Sequence, residues 1–232
     1  MEDNVSTSVN CMNCPKSSMC FQKLVPSELQ FISQNKTQLS YQKGENLCKQ
    51  GAFASYVMYI TEGLIKIYLE TSNRKRINVK ILKAADFIGL PSVYGNNIYI
   101  CSAKALKEST VCLIDKESFK QLIKNNGEFA SEIIKWHCNH EIQSYDYIKS
   151  IVSKQMYGRL AYALLYLTSE QFKDVDIFSH ITRKDIAEFA GLSTESVVRL
   201  LHELKNDKVI EVEGKIINVI NPELLKKISI QG

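Results

Sequence analysis

Residues 181–201 read ITRKDIAEFAGLSTESVVRLL, a stretch in which two helix signals are separated by one glycine. Thr182 is a favoured N-cap, and Asp185 places an acid in the first turn of the helix that follows. The apolar stripe of this helix stops at Gly191, which suits a tight turn, and Ser193 then caps a second helix. Two short helices joined in this way predict a helix-turn-helix unit.

The second helix has two chemically different faces. Its core-facing stripe, at the spacing i, i+3, i+4 and i+7, consists of Val197, Leu200, Leu201 and Leu204. On the opposite face, Arg199 can bond guanine O6 and N7, Glu195 can accept from cytosine N4, and Val198 can contact a thymine methyl group. The alternative is a surface ion pair between Glu195 and Arg199, four residues apart, which requires no DNA.

The helix-turn-helix is followed by a second DNA-binding signal. Val209–Val212 and Ile216–Val219 flank Glu213-Gly214-Lys215, and this pattern predicts a hairpin that serves as a wing. The N-terminus of the second helix favours a phosphate. The residues predicted to contact DNA are Arg183, Ser193, Thr194, Glu195, Val198, Arg199 and His202.

The hydrophobic periodicity of the chain before this unit changes twice. From about 37 to 115, apolar and polar residues alternate between frequent turn residues, as around Ile65, Ile67 and Leu69. Many short strands of this kind predict a small antiparallel barrel or sandwich. From Asp115 the period becomes helical, and residues 127–153 predict one long connecting or partner-binding helix. An ordinary core helix is the alternative.

Charge and composition exclude several classes of protein. The formal net charge is +4, but residues 154–232 carry 11 Lys and Arg against 11 Asp and Glu, so bulk charge does not predict DNA binding. No targeting signal and no membrane-spanning stretch is recognisable, which favours a cytoplasmic protein without membrane contact. No Gly-rich phosphate loop, nucleophile elbow or His-carboxylate metal motif occurs, so an enzyme is not predicted.

Residues 181–201 closely resemble the DNA-reading helices of the Crp/Fnr family of transcription regulators, and the order of the parts matches over nearly the whole chain. The resemblance implies an α+β chain whose N-terminal sensor domain, over 1–126, consists of a cysteine-rich lead and an antiparallel beta roll (a cupin-like jelly roll). A long dimerisation helix over 127–153 and a C-terminal winged helix-turn-helix over 154–232 follow. It also implies a homodimer that binds two-fold symmetric double-stranded DNA and recruits or blocks RNA polymerase. Glu195 and Arg199 match the family's base-contacting residues.

Seven cysteines are present, and three of them lie close together. Cys11, Cys14 and Cys20 form a C-x2-C-x5-C array within ten residues. Thiolates so spaced on a turning loop can converge on one soft metal centre, for which four ligands are usually needed. The same array could hold zinc or act as a thiol–disulfide switch.

The oxygen-sensing branch of the Crp/Fnr family, the fumarate and nitrate reduction regulators, has this same array and one further cysteine in the beta roll. The segment Ala105–Cys112 closely resembles the stretch that holds that fourth ligand. The implied ligands of a 4Fe–4S cluster are Cys11, Cys14, Cys20 and Cys112. The resemblance implies that loss of the cluster in oxygen weakens dimerisation and DNA binding.

Other roles for the cysteines stay open. Cys112 lies in an apolar strand, where a lone cysteine usually only packs. Cys48, Cys101 and Cys138 are predicted to be buried small apolar residues, with Cys101 as a rival fourth ligand.

Two other ligands used in this family are not predicted. The family's nucleotide cassette has Gly-Glu and, later, Arg followed by Ser or Thr, because the ligand phosphate needs an arginine and backbone donors. The corresponding residues 85–99 lack both features, and no arginine occurs between Arg76 and Arg159, so cyclic nucleotide binding is not expected. All four histidines lie outside the predicted beta roll, which leaves it no imidazole for a haem.

Overall fold

The computed structural model describes residues 11–14, 20–73 and 75–232, which form two compact units. The first unit ends at Glu141 and omits Arg76–Val79, and the second unit combines Arg76–Val79 with Ile142–Gly232. Residues 15–19, in the middle of the predicted cysteine array, lie outside the described residues.

The N-terminal half contains the predicted antiparallel roll. Its strands are β1 Lys36–Tyr41, β2 Asn46–Cys48, β3 Tyr56–Glu62, β4 Leu64–Glu70, β5 Arg76–Lys83, β6 Phe87–Ile88, β7 Ser102–Ala105 and β8 Ser109–Asp115. They form two sheets, in the orders β1-β8-β3-β6 and β2-β7-β4-β5. β3 is buried on both faces because its residues alternate between two cores: Val57 and Tyr59 join one, and Met58 and Ile60 join the other.

Four helices accompany the roll: α1 Pro26–Gln34, α2 Pro91–Tyr94, α3 Lys116–Asn125 and α4 Gly127–Ser153. An aromatic core joins α3 and α4 to the first sheet, with the rings of Phe119 and Phe129 5.5 Å apart and Phe87 5.9 Å from Phe119. The long helix predicted over residues 127–153 is confirmed by α4.

The second unit contains the predicted winged helix-turn-helix. Its elements after α4 are α5 Met156–Leu167, α6 Ile177–His180, α7 Arg183–Ala190, α8 Thr194–Asn206, β9 Ile210–Glu213, β10 Ile216–Val219 and α9 Pro222–Gln231. β9 and β10 pair antiparallel, with Ile216 opposite Glu213, which confirms the hairpin. In the part of the chain that the structure describes, no helix combines the length and apolarity needed to cross a membrane.

Candidate DNA-reading face and candidate thiol centre

Two capped helices form the helix-turn-helix. Thr182 Oγ1 accepts from the Asp185 amide at 3.1 Å, and the Asp185 carboxylate accepts from the Thr182 amide at 2.8 Å, so the two residues close a capping box on α7. α7 ends at Gly191, whose φ of 63° lies in the left-handed region that glycine adopts without strain. Ser193 Oγ then accepts from the Ser196 amide at 3.1 Å and begins α8. The predicted cap, turn and second cap are all confirmed.

α8 buries the predicted stripe and exposes the opposite face. The buried residues are Val197, Leu200, Leu201 and Leu204. The exposed residues are Ser193, Thr194, Glu195, Val198, Arg199 and His202. The structure therefore brings six of the seven predicted DNA contacts onto the solvent face of α8 and its cap, which we call the reading face.

Arg199 does not pair with Glu195, the partner that the i, i+4 spacing suggested. Its Nη1 donates to Glu203 Oε1 at 2.7 Å, one turn toward the C-terminus, whereas a pair with Glu195 was the alternative to DNA reading. Both side chains of the observed pair are about half exposed. An exposed pair of this kind contributes roughly 0–1 kcal/mol, so a base edge can compete with Glu203 for the guanidinium.

Arg183, the seventh predicted DNA contact, binds the wing. Its guanidinium donates to the Gly214 carbonyl at 3.0 Å and to the Lys215 carbonyl at 3.3 Å. Burial lowers the pKa of this half-buried side chain. Lys205 donates to the Val212 carbonyl at 3.4 Å, so basic side chains from α7 and α8 both fix the hairpin. Contact between Arg183 and DNA stays a prediction.

The cysteine residues at the N-terminus form a short turn packed beside α1. Residues Cys11–Asn13 make one turn of 3-10 helix, and the Cys14 amide donates to the Cys11 carbonyl at 3.4 Å. The Cys11 amide donates to Ser33 Oγ at 3.4 Å. These contacts hold the turn at the edge of the first core.

Three of the four predicted cluster ligands line one pocket. Cys11 and Cys14 of the turn and Cys112 of β8 lie around an open volume of about 380 Å³ with mostly apolar walls. Burial raises the pKa of the Cys11 and Cys112 thiols, and the nearby Lys36 opposes this rise. The fourth, Cys20, is buried next to Phe21 in the same core.

The thiols are not gathered around a point. Within residues 11–14, 20–73 and 75–232, no three His, Cys, Asp or Glu side chains are arranged to hold a single metal ion. A four-iron cluster makes a different demand, because each cysteine bonds a different iron and the ligands surround a volume. The three thiols that line this pocket are part of the donor set that such a cluster would need.

The other cysteines are separate from this pocket. Cys48 is buried, as predicted. Cys101 is partly buried and packs against the second core, between the two sheets, so the structure does not bring the rival fourth ligand to the turn. The predicted burial of Cys138 is wrong, because this residue is exposed on α4. The helix buries positions 129 and 133 and partly buries position 136, and position 138 falls on the opposite side.

α4 carries an apolar stripe on its solvent side. The exposed residues of this stripe, at successive spacings of 4, 4, 3, 3 and 4 residues, are Ile134, Cys138, Ile142, Tyr145, Ile148 and Val152. Val152 is 80% exposed and Ile134 is 61% exposed, which is unusual for side chains of this size. A sustained stripe at heptad spacing is typical of a helix that pairs with another helix.

Two protein-family profiles match separate parts of the chain. The profile described as a cyclic nucleotide-binding domain matches residues 38–126, and the one described as a Crp-like helix-turn-helix domain matches residues 158–228. These matches coincide with the beta roll and with the winged helix-turn-helix.

Several characterised bacterial regulators are similar to this chain. The anaerobic regulatory protein of Bacillus subtilis is 28% identical over 202 residues, which cover 84% of this chain and 85% of the relative. The fumarate and nitrate reduction regulatory protein of Vibrio cholerae is 28% identical over 220 residues, which cover 92% and 87%. Its Escherichia coli K12 counterpart is 25% identical over 230 residues, which cover 95% and 90%.

Solved structures share the fold. FixK2 from Bradyrhizobium japonicum has a TM-score of 0.72 at 21% identity and covers 83% of this chain and 96% of its own. A CooA variant from Carboxydothermus hydrogenoformans has a TM-score of 0.72 at 17% identity, with 96% and 97% covered. At these identities the likeness establishes the architecture alone.

Proposed function

Because the chain belongs to the Crp/Fnr family of transcription regulators, and is a DNA-binding regulator and not an enzyme, we propose that a cysteine-ligated iron–sulfur cluster controls its DNA binding. The proposed cluster is of the 4Fe–4S type. The proposed ligands are Cys11, Cys14, Cys20 and Cys112. The proposed signal is oxygen or redox state, and the proposed location is the cytoplasm, where the DNA is.

One observation carries the sensing part of the proposal. Thiols far apart in sequence, Cys11 and Cys14 of the turn and Cys112 of β8, line the same mostly apolar pocket, and Cys20 is buried within the same core. Four cysteine thiolates are the donor set that iron–sulfur clusters of this type use. When bound, such a cluster supplies a centre that responds to oxygen and to electrons.

The protein's own residues connect this centre to the fold. The turn at Cys11 is hydrogen-bonded to Ser33 on α1, and Cys112 lies in the middle of the first sheet, between Gln38 and Tyr59. Phe21, next to Cys20, packs against Phe129 of α4 with ring centroids 5.9 Å apart. Tethering the N-terminal turn therefore also favours the packing of α4.

The reading face is proposed to bind DNA in the major groove. Arg199 would bond a guanine, Glu195 a cytosine amino group, and Val198 a thymine methyl group. Ser193 and Thr194 at the start of α8 would hold a phosphate, where the helix dipole favours negative charge. His202 extends the face, and Arg183 would act there together with the wing.

The exposed stripe of α4 is proposed to pair with the same stripe of a second copy. A parallel homodimer would then bind a two-fold symmetric site and contact RNA polymerase. Pairing along this stripe would bury side chains such as Ile148 and Val152, which the single chain exposes.

Anaerobic purification tests the sensing proposal. The expected result is a brown protein that contains iron and acid-labile sulfide. Replacement of Cys112 by serine should abolish the colour and the specific DNA binding together. Cys138→Ser is the matched control for the cluster, because Cys138 lies outside the pocket, and it should retain the colour and the iron and sulfide. Anaerobic protein that holds zinc or no metal, and that binds DNA without Cys112, would contradict the cluster.

The alternative is a cluster-free regulator of the same fold that responds to a small molecule or to thiol oxidation. A second open pocket, with Lys80, Tyr99, Cys101 and Trp136 in its lining, favours this alternative. Burial lowers the pKa of Lys80. A single ammonium among apolar walls suits a small organic acid. Iron-free protein whose DNA binding requires such an acid, and is lost in Lys80→Met, would support this alternative over the cluster.

A further inference from the structure

A positively charged side chain lies inside the proposed thiol centre. Lys36 begins β1 opposite Ile114 of β8 and lines the same pocket as the thiols. Its ammonium donates to Cys112 Sγ at 3.7 Å, and its charge also acts on the Cys11 thiol, whose pKa it lowers against the effect of burial. Among the described residues that line this pocket, Lys36 is the only cation.

The position of this ammonium matters because of the charge of the proposed ligand. A four-iron cluster on four thiolates is an anion, and an anion buried among apolar walls is destabilised unless an opposite charge lies nearby. Phe21, Ile32 and Ile114 supply such walls here. A charge acts more strongly through a low-dielectric wall than through water, so one lysine a few ångströms away has a large effect.

We infer that Lys36 is the charge-compensating and positioning residue of the thiol centre. It bridges Cys11 of the N-terminal turn and Cys112 of the sheet, and it sets how readily the bound centre gives up electrons. This assignment rests on the proposed cluster. It follows from general properties of such clusters, whose reduction potentials depend on net charge and on hydrogen bonds to sulfur.

The test compares variants of the full chain prepared without oxygen. Lys36→Met removes the charge and keeps the length, and Lys36→Arg keeps the charge. Lys43→Met removes the same charge from an exposed turn after β1 and is the control. In Lys36→Met, the reduction potential should shift to more negative values, and the visible absorbance should disappear several-fold faster in air. Lys36→Arg should largely restore both values, and Lys43→Met should match the wild type.

Other outcomes overturn the assignment in distinguishable ways. If the wild type binds iron and sulfide and Lys36→Met changes only the melting temperature of the metal-free chain, Lys36 has a structural role alone. If the wild type itself holds no iron and sulfide, the cluster proposal fails and the Lys36 assignment fails with it. Should Lys36→Met not fold, Lys36→Gln keeps a hydrogen-bond donor without the charge and serves in its place.

Discussion

At the scale of single residues, the two arginines among the predicted DNA contacts, Arg183 and Arg199, have different roles. Arg183 is half-buried and bonded to two wing carbonyls, so its guanidinium has a fixed place before DNA arrives. Arg199 is exposed and shares a surface pair with Glu203, which it can leave at a cost of roughly 0–1 kcal/mol. Arg183 therefore holds the wing in place, whereas Arg199 is available to contact a base.

Replacing Arg199 by alanine should weaken specific DNA binding by about 1–3 kcal/mol and relax the preference at one base pair, because a bidentate contact to guanine is lost. Fluorescence anisotropy on a specific site, on that site with the base pair exchanged, and on random DNA measures this effect. Glu203→Ala is the control and should leave specificity intact. Equal losses of affinity on specific and random DNA would reduce Arg199 to a phosphate contact.

At the scale of elements, α4 has a polar anchor on its inner face. Asp86, in the turn before β6, accepts from Trp136 Nε1 at 3.2 Å and lies 3.3 Å from His140 Nε2. Its second carboxylate oxygen accepts from the Lys83 amide at 2.9 Å. One carboxylate therefore ties a turn of the roll to two successive turns of the long helix.

Replacing Asp86 by alanine should lower the free energy of unfolding by about 1–3 kcal/mol, because partly buried donors lose a charged acceptor. Urea denaturation followed by the fluorescence of Trp136, the single tryptophan, measures the change. Asp146→Ala removes an exposed carboxylate from the same helix and should have little effect. Equal changes in the two variants would show that the anchor contributes nothing specific.

The outer face of α4 yields a separate prediction about assembly. Ile148→Glu places a charge in the exposed apolar stripe and should convert a dimer into a monomer, because a helix seam must be apolar to pair. Light scattering at matched concentrations gives the molar mass. Gln143→Glu adds the same charge to an exposed position away from the stripe and should leave the dimer intact. A monomeric wild type would contradict the pairing itself.

Elements set by local sequence could be predicted closely, and contacts set by distant residues could not. The caps at Thr182 and Ser193 and the turn at Gly191 depend on neighbours within four residues. The place of Lys36 beside Cys112 depends on the register of β1 against β8, which periodicity does not specify. The exposure of Cys138 depends on which face of α4 packs against the rest of the chain.

At the scale of the whole molecule, the proposed pairing along α4 would fix the spacing of the DNA site. The two reading helices of such a dimer would enter successive major grooves on one face of DNA, roughly 34–36 Å apart. Inserting five base pairs between the half-sites turns one of them by about half a helical turn, since a turn contains about 10–10.5 base pairs. Specific binding should then fall to that of a single half-site.

Electrophoretic mobility shifts on natural and lengthened sites measure this loss. A site in which five central base pairs are exchanged without a change of length is the control and should bind nearly as well as the natural one. Undiminished binding to the lengthened site would mean that each copy reads its half-site alone.

Residues 154–232, which contain the winged helix-turn-helix, carry no net formal charge, because 11 Lys and Arg are balanced by 11 Asp and Glu. Arg199, for example, is paired with Glu203. Affinity for arbitrary sequence comes mainly from phosphate neutralisation, and a genome offers about 10⁶–10⁹ competing positions. A regulator that binds those positions weakly remains mostly unbound. A small number of molecules can then supply the promoters, and in the proposed mechanism a change in the dimer population would change promoter occupancy.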